Sequence, residues 1–271
     1  MPVRGRSSAA MSAGQAILGF ALVAAGVIGT LATVLGFFGS AWWLFDFAAN
    51  FRAHLAVALV ITGIAYALLY SKATGLFFLI VAGVNALVVL PLYADNQAPA
   101  QNAEEDLTIV SFNVGQRSSI RDTTYRWLDT VSPDLVVLLG TTDDWTRGQE
   151  PSAPLRIQSE LPVDRTYGTT VLSEAPVETE LLRVSSARDY VVRIETALGD
   201  KPVIVYAVHT RGGTDATDAE LRDEYLEEVG RMVQDETEYT IVVGDFGASP
   251  WSHAFRNLEA EGNLHNSMRG N

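Results

Sequence analysis

Residues 16–38 read AILGFALVAAGVIGTLATVLGFF, an uninterrupted run of 23 apolar or small residues. A helix of this length crosses the hydrocarbon core of a bilayer, because each residue adds roughly 1.5 Å along the axis. A cleaved signal peptide is the alternative, since Arg4 and Arg6 precede the run. The run is too long for one, and the aromatic residues at 42–45 are unlike the small residues of a cleavage site. The stretch therefore predicts a membrane span.

Two more uncharged runs follow along the chain. Together with the first they predict three transmembrane helices, at about 15–38, 53–70 and 73–93. The basic residues Arg4, Arg6 and Lys72 fall on one side of this arrangement, and basic loops face the cytoplasm. We therefore expect a multi-pass protein of a cell membrane, with a cytoplasmic N-terminus and an extracytoplasmic C-terminal domain.

Charge divides the chain into a membrane part and an acidic part. Residues 95–271 carry 15 Lys and Arg against 31 Asp and Glu, a net charge of −16. Such a surface repels phosphates, which argues against nucleic acid as a partner. The chain has no cysteine, which excludes disulfides, thiolate catalysis and Cys-based metal sites. We assign residues 1–94 to a membrane domain, 95–106 to a polar linker and 107–271 to an extracytoplasmic domain.

The predicted spans carry few polar groups. Asn85 is the only strongly polar side chain at membrane depth, and it pairs either within the bundle or with a partner. Asp46 and Arg52 fall on the loop after the first span, where their charges cancel. Glycines of the first span permit close helix packing, which we expect to involve the protein's own spans. Because no span has a charged residue at its centre, the sequence shows no apparatus for ion or proton transport.

After the linker, short apolar runs alternate with helical patterns, which predicts an α/β layered domain. Strands are predicted at 107–113, 135–139, 169–172, 177–182, 190–197, 203–209 and 239–245. Helices are predicted at 120–131, 217–233 and 251–261. Thr217 and Asp218 open the second helix, and Ser249 caps the third. Residues 140–165 predict a loop, and the acidic residues of the second helix predict a solvated face.

Six segments of this domain occur in the order typical of a known family. They are IVSFNV (109–114), PDLVVL (133–138), YGTTVLS (167–173), YAVH (206–209), VVGDF (242–246) and SPWSHAFRNL (249–258). The chain resembles the endonuclease/exonuclease/phosphatase family, in its bacterial membrane-anchored branch with three spans ahead of the domain. The resemblance implies three transmembrane α-helices followed by a shortened four-layer α/β sandwich. It also implies a family chemistry of phosphodiester or phosphomonoester hydrolysis with Mg²⁺.

Only part of the family's catalytic set is present. Asn113, His209 and Asp245 match the family's positions. Gly140 stands where the metal-binding Glu is expected, and Gly247 replaces the Asn after Gly-Asp-Phe. The C-terminal Asp-His pair of the family has no counterpart. Each such group contributes about 10²–10⁴-fold to a rate. The resemblance therefore implies no catalytic residue, no metal site and no cofactor here, with Mg²⁺ expected only if the chain is an enzyme.

The three matching residues also have structural interpretations. Asn113 can bridge a strand end with its amide, and His209 can be a hydrogen-bonded histidine at a strand terminus. Asp245 can accept hydrogen bonds in the turn before residues 246 and 247. We regard all three as remnants of the family site.

We interpret the chain as a catalytically inactive pseudoenzyme that acts as an accessory or structural subunit of a bacterial envelope membrane complex. The expected partners are the lipid bilayer and other membrane-protein subunits, with a respiratory supercomplex as the first candidate. A sheet that lacks its last strands leaves an edge for another chain to cover. Two alternatives stay open: an extracytoplasmic Mg²⁺-dependent phosphodiesterase or phosphatase, and a non-catalytic module that binds a phosphorylated ligand.

Overall fold

The computed structural model describes residues 12–94, 107–146, 154–161, 168–184 and 189–268. The chain divides into two compact units, the first formed by residues 1–96 together with 268–271 and the second by residues 97–267. The linker predicted at 95–106 lies outside the described residues.

The first unit is a bundle of apolar helices. Its elements are α1 (Ala13–Leu35), a 3₁₀ turn (Gly36–Ala41), α2 (Trp43–Ala49), α3 (Arg52–Leu69), α4 (Lys72–Val89) and α5 (Pro91–Ala94). Among the described residues, three stretches are long and apolar enough to cross a membrane: Ala13–Ala41, Arg52–Leu69 and Lys72–Tyr93. The fold class of three apolar helices ahead of an α/β domain is thus confirmed.

Small and polar residues of α1 pack within the bundle. A Cβ on Gly26 would lie 2.2 Å from the ring of Phe78 on α4, so only glycine permits this approach. Asn85 is fully buried, and its Nδ2 donates to Oγ1 of Thr33 at 2.8 Å. The sequence left two possible hydrogen-bond partners for this amide, the bundle or another protein. The structure shows that it bonds within the bundle.

Asp46 and Arg52 differ from the sequence-based expectation of charges on a loop. Asp46 lies within α2 and Arg52 begins α3, and each residue is only 1% exposed. The Arg52 guanidinium carbon lies 4.0 Å from the ring centroid of Phe37. The expectation of a loop was wrong because residues 43–49 form a helix that packs against the end of α1.

The second unit alternates strands and helices in chain order. Its elements are β1 (Ile109–Asn113), a 3₁₀ turn (Ser118–Ile120), α6 (Arg121–Val131), β2 (Leu135–Leu139), α7 (Asp143–Thr146), β3 (Arg156–Leu161), β4 (Thr169–Ser173), β5 (Glu178–Val184), β6 (Asp189–Leu198), β7 (Lys201–His209), α8 (Ala216–Gln234), β8 (Tyr239–Asp245) and α9 (His253–Glu261). The described strands form two four-stranded sheets, in the orders β1-β2-β4-β3 and β5-β6-β7-β8. In each sheet one pair is parallel, β1 with β2 and β7 with β8, and the other pairs are antiparallel.

Side chains of the central strands point alternately to the two faces of each sheet, and the domain therefore has four layers. On β7, Val203, Val205 and Ala207 pack between the two sheets, while the alternate residues face α8 and α9. On β2, the residues at 135, 137 and 139 join the same inter-sheet layer, and those at 136 and 138 pack against α6. Helix, sheet, sheet and helix therefore stack in that order, which confirms the α/β sandwich.

Several local predictions need correction. Residues 140–165 were expected to form a loop, but they contain α7 and β3; residues 147–153 and 162–167 lie outside the described residues. A helix of four residues is too short to show a helical hydrophobic pattern. The pairing of β3 with β4 shifts register between Ile157 and Ser159, which obscures the alternation of buried and exposed residues in β3. The caps also differ: Asp215 rather than Thr217 caps α8, and Ser252 rather than Ser249 caps α9.

Candidate functional site

The carboxyl ends of the two parallel strand pairs meet in the α/β domain. Asn113 is the last residue of β1, His209 of β7 and Asp245 of β8. His209 and Asp245 are register partners in the β7–β8 pair, and Asn113 is the partner of Leu139 at the end of β2. The three residues that match the family's positions are thus brought together.

Hydrogen bonds join these side chains directly. The Asn113 Nδ2 donates to Oδ2 of Asp245 at 2.8 Å and lies 3.3 Å from Nε2 of His209. The Asn113 Oδ1 accepts from the N–H of Gly115 at 2.9 Å, and the Asp245 Oδ1 accepts from the N–H of Gly247 at 3.0 Å. Each oxygen of the amide and carboxylate therefore already serves the strand ends and the turns that follow them.

His209 is the titratable group most affected by this environment. Burial lowers the pKa of the imidazole, and the nearby carboxylate of Asp245 partly opposes that effect. The imidazole is therefore held neutral at pH 7, beside the carboxylate of Asp245.

Gly140 directly follows β2, and its backbone does not suit a glutamate. Its φ is +70°, in the left-handed region where a longer side chain is strained. A Cβ at this position would lie 3.1 Å from Oδ1 of Asn113 and 3.2 Å from the backbone nitrogen of Gly115. The contact with Asn113 shows that Gly140 lies next to the cluster of Asn113, His209 and Asp245. Gly140 contributes no carboxylate to that cluster.

Gly247 is still more restricted. A Cβ there would lie 2.2 Å from the backbone oxygen of Arg211 and 2.6 Å from Oγ1 of Thr210. Real Cβ atoms essentially never approach other heavy atoms so closely, so an asparagine requires the backbone to move. The turn after β8 is therefore built around glycine.

Arg222 supports this turn from α8 and was not singled out by the sequence analysis. It is 2% exposed, and its Nη1 donates to the carbonyl of Gly247 at 3.2 Å while its Nε and Nη2 bond to Asp223. The signal was present: Arg222 lies at helical spacing from Ala219, Tyr225 and the other buried residues of α8.

The acidic residues of α8 are largely engaged with the protein itself. Asp215 accepts from the N–H of Asp218 as the N-cap, and Asp218 lies 3.5 Å from Arg211. Glu227 pairs with Arg231 one turn later at 3.3 Å. These contacts stabilise the helix and the loop before it.

The residues present do not fit the Mg²⁺ site that the family's fold implies. Mg²⁺ requires near-octahedral oxygen coordination. The described residues contain no group of three or more His, Asp or Glu side chains placed to hold a metal ion. At the cluster, Asp245 is the one charged oxygen donor among residues 113, 140, 209, 245 and 247, and both of its oxygens accept hydrogen bonds.

Comparison with known proteins identifies the family of the domain. The model of the Endonuclease/Exonuclease/phosphatase family matches residues 110–270. No curated protein matches the sequence.

Solved structures that resemble the chain are distant. An AP endonuclease from Archaeoglobus fulgidus is 16% identical, with a TM-score of 0.46 over 58% of this chain and 69% of that chain. The D. rerio TDP2 complexed with a single-strand DNA product is 17% identical, with a TM-score of 0.44 over 56% and 64%. Sphingomyelinase C from Streptomyces griseocarneus is 15% identical, with a TM-score of 0.42 over 59% and 71%. The chain thus spans about two thirds of the length of these structures.

Proposed function

Because the chain belongs to the endonuclease/exonuclease/phosphatase family, we propose that it is a catalytically inactive member anchored in a bacterial cell membrane. Its α/β domain lies on the extracytoplasmic side and acts as an accessory or structural subunit of an envelope membrane complex. The observation that carries the proposal is Gly247, where a Cβ would lie 2.2 Å from a backbone oxygen.

The loss of chemistry is supported at several positions together. Gly140 supplies no carboxylate to the cluster, and its φ of +70° is unfavourable for a glutamate. Asn113 and Asp245 bond to each other and to the backbone of their own turns. Since each missing family group contributes about 10²–10⁴-fold to a rate, several losses together leave little of the activity.

The membrane location is supported by the composition and burial of the helices. Three stretches are long and apolar enough to span a bilayer, and Arg4, Arg6 and Lys72 share one side of them. Asp46 and Arg52 are buried within the helical unit, which leaves their charges away from lipid. The position of the basic residues supports an extracytoplasmic location for the acidic domain, on the side opposite to them.

The accessory role is supported by the spans without central charges and by the packed α/β domain. The spans carry no charged residue at their centres, so the sequence shows no apparatus for transport, while the described helices and strands keep four packed layers. A respiratory supercomplex is the first candidate assembly, because small three-span subunits without transport residues suit its periphery.

The test combines purification with an assay. The tagged full chain is purified from native membranes in mild detergent, and hydrolysis of bis(p-nitrophenyl) phosphate with Mg²⁺ is measured beside an Asp245→Ala variant. We expect stoichiometric recovery of other membrane subunits and equal, background-level rates for both chains. Purification of the chain alone would overturn the accessory role, and hydrolysis that is lost with EDTA and with Asp245→Ala would overturn the inactivity in favour of an enzyme.

Binding of a phosphorylated ligand without cleavage is the second candidate. It is favoured by the convergence of Asn113 and His209 at an exposed strand end. It predicts that inorganic phosphate raises the Tm of the full chain and that Asn113→Ala abolishes the rise. An unchanged Tm at millimolar phosphate would exclude this candidate.

A further inference from the structure

The two sheets end in edge strands of two different kinds. Strand β1 lies at one edge of the first sheet and β8 lies at one edge of the second. No described strand pairs with the outer edge of either. The hydrogen bond between Asn113 and Asp245 joins their carboxyl ends, so the two edges adjoin. We call these two strands, Ile109–Asn113 and Tyr239–Asp245, the seam. The other two edges are β3 and β5.

The β3 and β5 edges are protected against pairing with other chains. Strand β3 carries Arg156 and Glu160 and is interrupted by a register shift. Strand β5 has the sequence ETELLRV, with charges at Glu178, Glu180 and Arg183. Charged side chains and bulges are the devices by which natural sheets keep their edges unpaired.

The seam has none of these devices. Its strands read IVSFN and YTIVVGD, which contain no Lys, Arg, Glu or Pro, and the single charge is Asp245 at the end of β8. Phe112 is 41% exposed, Ile241 38% and Tyr239 70%. Tyr239 and Ile241 share a face of β8 with Val243, which packs against the layer between the sheets. The core of the sandwich is therefore open at the seam.

We propose that the seam is a docking surface for an extended, net-cationic segment of another polypeptide, which adds to the sheet edge as a further strand. Strand addition satisfies the unpaired backbone groups of an edge, and alternate side chains of the added strand cover the exposed apolar residues. Here those residues are Tyr239 and Ile241 on β8 and Phe112 on β1.

The charges near the seam decide what kind of chain fits. Glu238 precedes β8 and Asp245 ends it, while Asp134 accepts from the N–H of Thr108 beside the start of β1. Residues 95–271 as a whole carry a net charge of −16. A second copy would bring the same carboxylates against these, and like charges placed together oppose association. A basic segment from a different chain is attracted by the same field.

This inference rests on the proposed function for the existence of a partner, and it adds where the partner binds and what its chemistry is. The first test uses two matched variants of the full chain. Ile241→Lys places a charge on the seam, and Leu181→Lys places the same charge on β5 at nearly equal exposure, 38% against 37%. We expect Ile241→Lys to lower recovery of co-purifying subunits at least about tenfold and Leu181→Lys to leave it unchanged.

The second test needs no disruptive substitution. Because the chain has no cysteine, Tyr239→Cys and Glu180→Cys each introduce the only thiol, on the seam and on β5 respectively. A benzophenone maleimide is attached to each in native membranes, and cross-linked peptides are identified by mass spectrometry. We expect the seam position to cross-link to a net-cationic peptide of another polypeptide and the β5 position to give no specific product.

The remaining outcomes overturn the inference in distinguishable ways. A cross-link from position 239 to a second copy, to this chain's own residues or to an acidic peptide shows that the seam has a different occupant. Partner recovery that is equal for both lysine variants, with cross-links from position 180, removes the seam and leaves the accessory role standing. A chain that purifies alone and cross-links to nothing from either position removes the accessory role as well.

Discussion

Strand β7 contributes to two polar clusters, through Tyr206 to one and through His209 to the other. In the first, Glu236 accepts from Nε and Nη2 of Arg193 at 2.6 and 3.2 Å and from the Tyr206 hydroxyl at 2.7 Å. The Arg193 and Glu236 side chains are only 17% and 14% exposed. The hydrogen bond from Arg193 lowers the pKa of Glu236, and burial raises that of Tyr206.

The second cluster, formed by Asn113, His209 and Asp245, holds less charge. Asp245 is its one ionised group, and His209 beside it is kept neutral by burial. The ion pair between Arg193 and Glu236 thus connects β6, β7 and the turn after α8, and not the strand ends where the family has its chemistry. The first cluster is therefore expected to contribute more to stability through charge than the second.

The largest effect is expected from restoring the family's residue at Gly247. Gly247→Asn places a Cβ within 2.2 Å of the Arg211 carbonyl oxygen, so the turn has to move. We expect a loss of about 3 kcal/mol, from overpacking and backbone strain. This corresponds to roughly 6–12 °C in Tm at 2–4 °C per kcal/mol. The measurement is thermal unfolding of the full chain in detergent, together with the phosphodiester assay.

A glycine in open space serves as the control for that substitution. Gly212 would place a Cβ 3.8 Å from its nearest neighbour, so Gly212→Ala is expected to shift the Tm little. If Gly247→Asn kept the wild-type Tm and gained Mg²⁺-dependent hydrolysis, the turn would be a usable active-site position, and the contrast between the clusters would fail.

A smaller loss is expected when the first cluster loses the half-buried charge of Glu236. Glu236→Gln keeps the shape but removes the carboxylate that receives Arg193 and Tyr206, which costs about 2 kcal/mol for charged hydrogen bonds at a shielded position. Glu195→Gln is the matched control, since Glu195 bonds to the same Arg193 but is 48% exposed. Exposed pairs contribute about 0–1 kcal/mol, so its Tm should change much less.

The loss of stability at acid pH provides a second measurement on the pair of Arg193 and Glu236. Because the pKa of Glu236 is lower in the folded state, its stabilisation is complete above the unfolded value of about 4.3 and is lost as pH falls through the folded value. The Tm of the wild type should therefore approach that of Glu236→Gln as the pH falls below about 4. Parallel curves over that range would contradict this assignment.

The α/β sandwich could be predicted from the sequence more completely than the contacts of the candidate site. Val203, Val205 and Ala207 alternate with residues of the opposite face, so the strand and its buried layers are visible in the pattern itself. The direct bond between Asn113 and Asp245 joins residues 132 positions apart, and no local period predicts it. That pairing was accessible only through the resemblance to a family, whose segments share an order along the chain.

The remaining differences concern contacts that local patterns do not encode. Asp46 and Arg52 were expected on a loop because they lie between two uncharged runs, yet both are buried, Asp46 within a short helix and Arg52 at the start of α3. Strand β3 alternates poorly because its register shifts. The reason Gly247 is a glycine lies in a carbonyl 36 positions earlier, at Arg211, which only the tertiary structure brings against it.

The smallest effect is expected from protonation of His209. Its pKa is lower in the folded protein, so the unfolded chain binds the proton more readily, and stability falls as pH drops below the unfolded value of about 6.5. The Tm of the full chain should decline between pH 7 and pH 5, well above the acid limb that involves Glu236. His209→Gln should remove this decline, whereas His265→Gln, at an exposed position, should retain it. A decline that persists in His209→Gln would show that the second cluster does not control stability in this range, and the neutral imidazole beside Asp245 would have to be reconsidered.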